Sequence, residues 1–527
     1  MNHKIIHPFL IAVFPILFLF SQNVLVLNVS ETAIPIIINL VVTFFLLILV
    51  NLIIKDKLKT ALIVTVVILL FFSYGHLLNL AIYLDYSIGD NYDMLVFPIL
   101  ILLFGVILVF TYKTKKNLIK FNYFLNTVFG LLVSFQILSA GCAIVLNPES
   151  EEITSRLTTS SVAPSNLPDI YYIILDGYGR QDVLNEIYKY DNSDFIHDLR
   201  SRGFYVADSS HSNYCTTTHS VTSALNLDYL HNLIDIDYNT FGSGPLSSLV
   251  SNNRVFNFLK KFGYKTVAFA TGYAFTELDS TDHYFSPRIT VSEFENFLLN
   301  YTPIPFFVKN RKNQFDLHRD KINFIFDKLG DLKQIEGPKI VFAPILSPHP
   351  PFVFDQDGGN IQRNWPFSYA DGDHFNNQGG KASKYIIGYR NQAKYISKRV
   401  ITTIDRILEN SGENQPIIII QGDHGPGMGL RWETASKSDM HERFSILNAY
   451  YLPHYDGRDI YRSITPINSF RVIFNNYFGA TLKLIPEFNY YTKYTKPYQY
   501  IDVTDHLRTI EEKIANKNNE WFSDLHK

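Results

Sequence analysis

Residues 416–427, PIIIIQGDHGPG, pass from a proline and four isoleucines straight into Asp423, His424 and a run of glycine and proline. An apolar run this short, closed by turn residues, fits a buried strand. Strands of this kind lie inside parallel sheets covered on both faces. The strand therefore delivers a carboxylate and an imidazole to the carboxyl edge, where open α/β sheets bind their ligands.

Reading back from that strand, the chain from residue 169 alternates short β-rich runs with longer helical ones, the pattern of an α/β domain with a mainly parallel central sheet. DIYYIIL (169–175) reads as the first buried strand and ends at Asp176, and the turn GYG leads into a helical segment near 180–202. SNNRVFNFLKKFGY (251–264) has helical spacing, with Ser251 or Asn252 as cap and Gly263 as stop, and KTVAFAT returns as a strand. KIVFAPIL (339–346) is a further strand leading into SPHPPF, and a long helix over 383–411 precedes the opening stretch. Asp176, the His349 loop and the Asp423–His424 pair should thus meet at one edge.

The first 150 residues differ in kind. Five long, nearly charge-free runs at 8–28, 33–54, 60–84, 94–112 and 121–146 each approach the ~20 residues that cross a bilayer. Lys4 precedes the first run, Lys55, Lys57 and Lys59 follow the second, and Lys113, Lys115, Lys116 and Lys120 follow the fourth. The other two loops contain no Lys or Arg and hold Glu31, Asp85, Asp90 and Asp93. By the positive-inside rule this gives a multi-pass protein of the cytoplasmic membrane, with its N-terminus inside and everything after residue 147 outside. His76 is the main ionisable residue in the five runs, which argues against a transporter or channel. The expected organisation is a five-helix transmembrane domain (1–146), a polar Ser/Thr-rich tether (147–168), an extracytoplasmic α/β domain (169–500) and a charged tail (501–527). A net charge of -2 gives no general affinity for nucleic acid. Two cysteines, one of them within the fifth apolar run, leave no disulfide framework.

Asp423 and His424 alone could be a turn cap and a satisfied imidazole. Together with Asp176 they can hold a divalent cation such as Zn²⁺ or Mn²⁺, with one further oxygen. That oxygen is expected from SNYCTTTHSVTSALN (212–226), where a polar loop enters a helix and Thr216, Thr217 and Thr218 stand at an N-terminus that favours anions. A metal-bound Thr becomes a nucleophile at neutral pH, whereas a threonine that only caps the helix does not.

With these stretches in place, the chain resembles the alkaline phosphatase superfamily, in particular its sulfatase-like, membrane-anchored branch that includes lipoteichoic acid synthases and phosphoethanolamine transferases. The resemblance lies in YYIILDGYGR, NYCTTTHSVTSALN, SPHPPF and IIIIQGDHG, in this order over roughly 168–480, and in the five-helix unit. It implies that Asp176, Asp423 and His424 are metal ligands and that Thr217 is both ligand and nucleophile, with Thr216 still open. His349 would bind the phosphoryl group or protonate a leaving oxygen, unless it is an incidental member of a proline-rich turn. His441 would be a ligand if a second ion is bound, or otherwise a surface residue. Cys215 lacks the following Pro and Arg of a formylglycine site.

The expectation is a metal-dependent phosphotransferase. It would move a phosphoglycerol- or phosphoethanolamine-type group from a membrane lipid to an envelope glycan or lipid. A phosphoester or sulfate ester hydrolase of the same fold is the first alternative, and a catalytically silent glycan- or partner-binding protein the second.

Overall fold

The computed structural model describes residues 4–24, 27, 29–84, 93–146, 167–238, 240, 244–287, 293–307, 314–361, 367–377, 381–455, 457 and 459–513. Most of the expected tether (147–166), the 85–92 loop and the tail from 514 onward lie outside them. The chain divides into two compact units, Met1–Ser150 with Val291–Lys312, and Glu151–Thr290 with Asn313–Lys527.

The first unit contains α1 (His7–Gln22), α2 (Ser30–Ile54), α3 (Lys57–Leu84), α4 (Asp93–Lys113) and α5 (Ile119–Leu146). Four helices, α2 to α5, are long and apolar enough to cross a membrane. The expected fifth span is shorter than its apolar run. α1 has 16 residues, or about 24 Å at 1.5 Å per residue. It stops where the Asn23 amide turns back to donate to the Leu19 carbonyl at 2.9 Å. Large apolar side chains such as Leu49, Ile53, Leu102 and Phe110 are exposed, as expected of surfaces whose solvent is lipid. Residues 293–307, which follow a soluble-domain strand in sequence, pack with these helices. Phe294 and Leu298 share a buried cluster with Ile16, Phe20 and Ala140.

The second unit is built on β1 (Ile170–Leu175), β2 (Tyr205–Val206), β3 (Lys265–Phe269), β4 (His283–Phe285), β5 (Lys339–Ile345), β6 (Ile417–Gln421) and β7 (Asn448–Tyr451). They form one seven-stranded sheet in the order β2-β7-β6-β1-β5-β3-β4. β1 pairs in parallel with both β5 and β6, β3 in parallel with β4 and β5, and β7 is antiparallel to β6 and β2. The expected mainly parallel α/β domain is present. Every β1 side chain is buried. Tyr171, Ile173 and Leu175 enter one core, while Ile170, Tyr172 and Ile174 enter the other. This period-two split explains why the sequence shows a continuous apolar run rather than an alternation.

The register also sets where the polar residues emerge. Leu175 lies opposite Ile345, and Ile174 opposite Gln421. The residues that follow β1, β5 and β6 therefore leave the sheet side by side. Across the same edge, the helix Thr217–Asn226 is buried along its whole length.

Candidate active site and metal centre

Asp176 directly follows β1, and its N–H donates to the Ile345 carbonyl, extending the ladder by one bond. Gly177 then turns in the left-handed region at φ 72°, a conformation that glycine adopts without steric cost. Its N–H donates to Asp423 Oδ1 at 3.0 Å, and the His424 N–H donates to the same oxygen at 3.0 Å. One oxygen of Asp423 is thus held by two backbone donors. The other, Oδ2, and Asp176 Oδ1 are both buried and have no hydrogen-bond partner among the described residues.

His424 completes the arrangement. Its Nδ1 lies 2.8 Å from the Gly425 carbonyl, which assigns the proton to Nδ1 and leaves the Nε2 lone pair free. Nε2 is 3.1 Å from Thr217 Oγ1, 3.5 Å from Asp176 Oδ1 and 3.6 Å from Asp423 Oδ2. Burial, reinforced by the nearby Arg443 charge, pulls the His424 pKa down to about 4, so the ring is neutral. For Asp176, burial and the facing Asp423 outweigh the pull of His349 and raise the pKa to about 7. Two orphaned carboxylate oxygens, one imidazole lone pair and one hydroxyl converge here. Burying unpaired carboxylate oxygens is costly, and a divalent cation would satisfy all four donors. The residues fit the ion.

Thr217 opens its helix, with Thr216 as the preceding cap residue in an extended conformation. The three threonines have separate partners: Thr216 Oγ1 contacts His219 Nδ1 at 2.6 Å, Thr218 Oγ1 lies 3.5 Å from the Tyr273 hydroxyl, and only Thr217 Oγ1 faces His424. Cys215 points away, with its Sγ accepting from the Thr492 N–H at 3.2 Å.

His349 stands beside this group, its ring 5.8 Å from that of His424. It can be grouped with Asp176 and His424 as a metal-ligating trio, but both of its nitrogens already face acceptors. Nδ1 is 2.6 Å from the Pro350 carbonyl and Nε2 is 3.4 Å from Asp371 Oδ2. Burial lowers its pKa, but the Asp176 and Asp371 carboxylates more than offset this and raise it to about 9. A raised pKa favours the imidazolium, the form that binds anions and donates protons.

Sequence reasoning missed Asp371 and Arg443. The fully buried Arg443 donates from Nη1 to Asp371 Oδ2 at 2.6 Å and to the Gly425 carbonyl at 3.2 Å, and from Nε to the Cys215 carbonyl at 2.7 Å. One guanidinium thereby fastens the loop before Thr217, the loop after β6 and the loop that carries the partner of His349. Tyr385 holds the other Asp371 oxygen at 2.6 Å. Asp371 lies in a stretch dense in polar residues, and Arg443 in a short helix that reads as a surface turn, so neither gave a pattern to find.

His441 belongs to a different cluster. Its Nε2 is 3.3 Å from Asp182 and its Nδ1 is 3.7 Å from Glu511. Both carboxylates also pair with Arg180, at 2.7 and 2.6 Å, and with His441 they form a second group close enough to hold an ion.

Residues 168–459, more than half of the chain, match the family model described as Sulfatase. No curated protein matches the chain. Among solved structures, the zinc complex of the C-terminal periplasmic domain of EcEptC from Escherichia coli is similar at 11% identity and a TM-score of 0.42, covering 66% of this chain and 95% of that one. The integral membrane protein lipooligosaccharide phosphoethanolamine transferase A from Neisseria meningitidis is similar at 12% identity and a TM-score of 0.40, covering 89% and 94%. BT1596, a 2-O GAG sulfatase, is similar at 13% identity and a TM-score of 0.40, covering 68% and 91%.

Proposed function

The chain belongs to the sulfatase family, and from that premise we propose that it is a membrane-anchored, metal-dependent phosphotransferase that works through Thr217. The phospho-substituent comes from a lipid donor and passes to an envelope glycan or lipid outside the cytoplasmic membrane. The observation that carries this reading is the Thr217 hydroxyl, set at a helix N-terminus and facing a neutral imidazole and two unpartnered carboxylate oxygens. The lysine distribution between the apolar runs supports a cytoplasmic N-terminus and five passes, α1 included.

Asp176, Asp423, His424 and Thr217 would hold Zn²⁺ or Mn²⁺. When bound, the ion would lower the pKa of the Thr217 hydroxyl and neutralise charge on the phosphoryl oxygens. Thr217 Oγ1, having released its proton to solvent, attacks phosphorus as the alkoxide while the bond to the leaving oxygen breaks, and the His349 imidazolium donates its proton to that oxygen. The free N–H groups at the start of the helix Thr217–Asn226 receive the anionic oxygens. The resulting phosphothreonine is resolved by an acceptor hydroxyl, whose proton returns to His349 as Thr217 leaves. Attack by water in place of the acceptor gives the hydrolase. A formylglycine route has no support at Cys215, which lacks the required Pro and Arg and whose sulfur is packed against Thr492.

Intact-mass measurement of the full chain in detergent, with Mn²⁺ or Zn²⁺ and an activated phosphodiester, tests the reading. A phospho adduct is expected in the wild type and not in Thr217→Ala. An adduct that persists in Thr217→Ala would move the nucleophile elsewhere. Product analysis with and without a sugar or lipid hydroxyl separates transfer from hydrolysis.

A further inference from the structure

The described segment 293–307 is flanked on both sides by catalytic-domain sequence, yet it packs with the membrane unit. It touches one end of the helix bundle. Phe294 and Leu298 cluster with Ile16 and Phe20 of α1 and Ala140 of α5, against Ile36 of α2. The Tyr301 carbonyl accepts from the Gly75 N–H of α3 at 3.1 Å, and the Tyr301 ring lies 4.4 Å from that of His76. Phe307 stands edge-on to Phe97 of α4 at 5.1 Å. These contacts fall in the C-terminal halves of α1, α3 and α5 and near the N-termini of α2 and α4, so all five helices present the same end of an alternating bundle.

Two aromatic side chains of the segment remain exposed. Phe297 is 46% exposed and Phe307 is 60% exposed. Phe307 lies against Phe97 of α4, and Ile101, one turn further along the same side of that helix, is 55% exposed. The segment's only charges are Glu293 and Glu295 at its start, and Lys309, Arg311 and Lys312 follow it in the sequence. Apolar and aromatic residues followed in sequence by basic ones are the composition of a membrane-interface element.

We infer that residues 293–307 are a second membrane attachment of the catalytic domain, with Phe297 and Phe307 seated in the acyl-chain boundary of a phospholipid leaflet. The leaflet is the one on the catalytic side. Six peptide steps from residue 287 to 293 reach at most about 20 Å, too short to cross a hydrocarbon core of about 30 Å. This goes beyond the phosphotransfer reading and does not depend on it.

The test uses the full chain in phosphatidylcholine–phosphatidylglycerol vesicles, in a Cys142→Ser background, since Cys142 is exposed and Cys215 is buried. Nitroxides are attached at Phe297→Cys and Phe307→Cys, with Leu102→Cys as the lipid reference and Glu413→Cys as the aqueous reference. The expected result is an oxygen-to-nickel-chelate accessibility ratio several-fold above that of Glu413→Cys at both positions, approaching that of Leu102→Cys. An aqueous ratio at either position, or exclusion of both reagents as at a protein-covered site, overturns the inference. Phe297→Trp and Phe307→Trp, which keep an aromatic ring, provide a second measurement. Brominated lipid should quench their added fluorescence relative to the parent protein, and no added quenching also overturns the inference.

Discussion

Arg443→Met is the substitution that most directly tests how the site is assembled. The methionine roughly keeps the apolar stem but removes the guanidinium that joins Asp371, the Gly425 carbonyl and the Cys215 carbonyl. Asp371 and Arg443 are 1% and 2% exposed as side chains, so solvent cannot replace the lost partner. Breaking a buried pair from one side costs about 3–5 kcal/mol. For a unit of roughly 350 residues, an unfolding entropy of about 2.1 cal/mol/K per residue turns this into a Tm lower by roughly 4–7 °C. Loosening the loops behind Thr217 and His424 should also weaken cation binding about 10–100-fold, the usual effect of losing groups that orient metal ligands. Calorimetry of the catalytic-unit transition reads the first effect, and Zn²⁺ or Mn²⁺ titration reads the second. Arg443→Lys restores charge but cannot reach three acceptors in three directions, so it should recover stability better than cation affinity. If Arg443→Met melted lower but bound the cation and formed the phospho adduct as the wild type does, the reasoning would be refuted.

Two other substitutions test separate parts of the molecule. Asp176→Asn removes the charge from a buried side chain whose Oδ1 has no hydrogen-bond partner among the described residues, so in chelator the protein should be no less stable than the wild type. It should also lose the gain of about 2.7 kcal/mol that the wild type shows when the cation is at 100 times its Kd, which thermal melts with and without Mn²⁺ measure. Glu511 lies on the terminal helical segment 504–513. Burial raises its pKa, but His211 and Arg180 outweigh this and bring it to about 2. A depressed carboxylate stabilises the fold above its unfolded pKa of about 4.3 and loses that contribution as pH falls towards 2. Glu511→Gln should therefore cost about 1–2 kcal/mol at pH 7, allowing for solvent screening, and should flatten the stability curve between about pH 4.5 and 2. An unchanged acid limb by denaturant titration would exclude this contribution of Glu511.

The parts of the site that follow strands were readable in the sequence, because a strand buried on both faces has no reason to end in Asp-His or Asp-Gly unless the edge uses them. Asp176, Asp423 and His424 converge on one point, as the order of buried runs predicted. Thr217 and Thr216 could not be separated by pattern, since their difference is only which way each hydroxyl turns, one to His424 and the other to His219. Asp371 and Arg443 were out of reach for a different reason. They find each other across 72 positions, and a buried charge pair leaves the same letters as a surface one. The first helix ends short of its run because the polar triplet Ser21-Gln22-Asn23 interrupts the apolar stretch, and a reading that counts only charges passes over an amide that caps its own helix.

The pairing of β1 with β6 would also fix when the protein could acquire the proposed ion. Asp176 and Asp423 come from strands whose synthesis is separated by about 250 residues, and they meet only after Ile174 has found its place opposite Gln421. A nascent chain that has released only its first half offers one carboxylate and one threonine, which is no binding site. On the proposed topology, the second half of the domain must already be translocated when the ligand set closes. The cation would then be taken from the compartment outside the membrane, and its supply there, rather than in the cytoplasm, would decide how much of the protein is active.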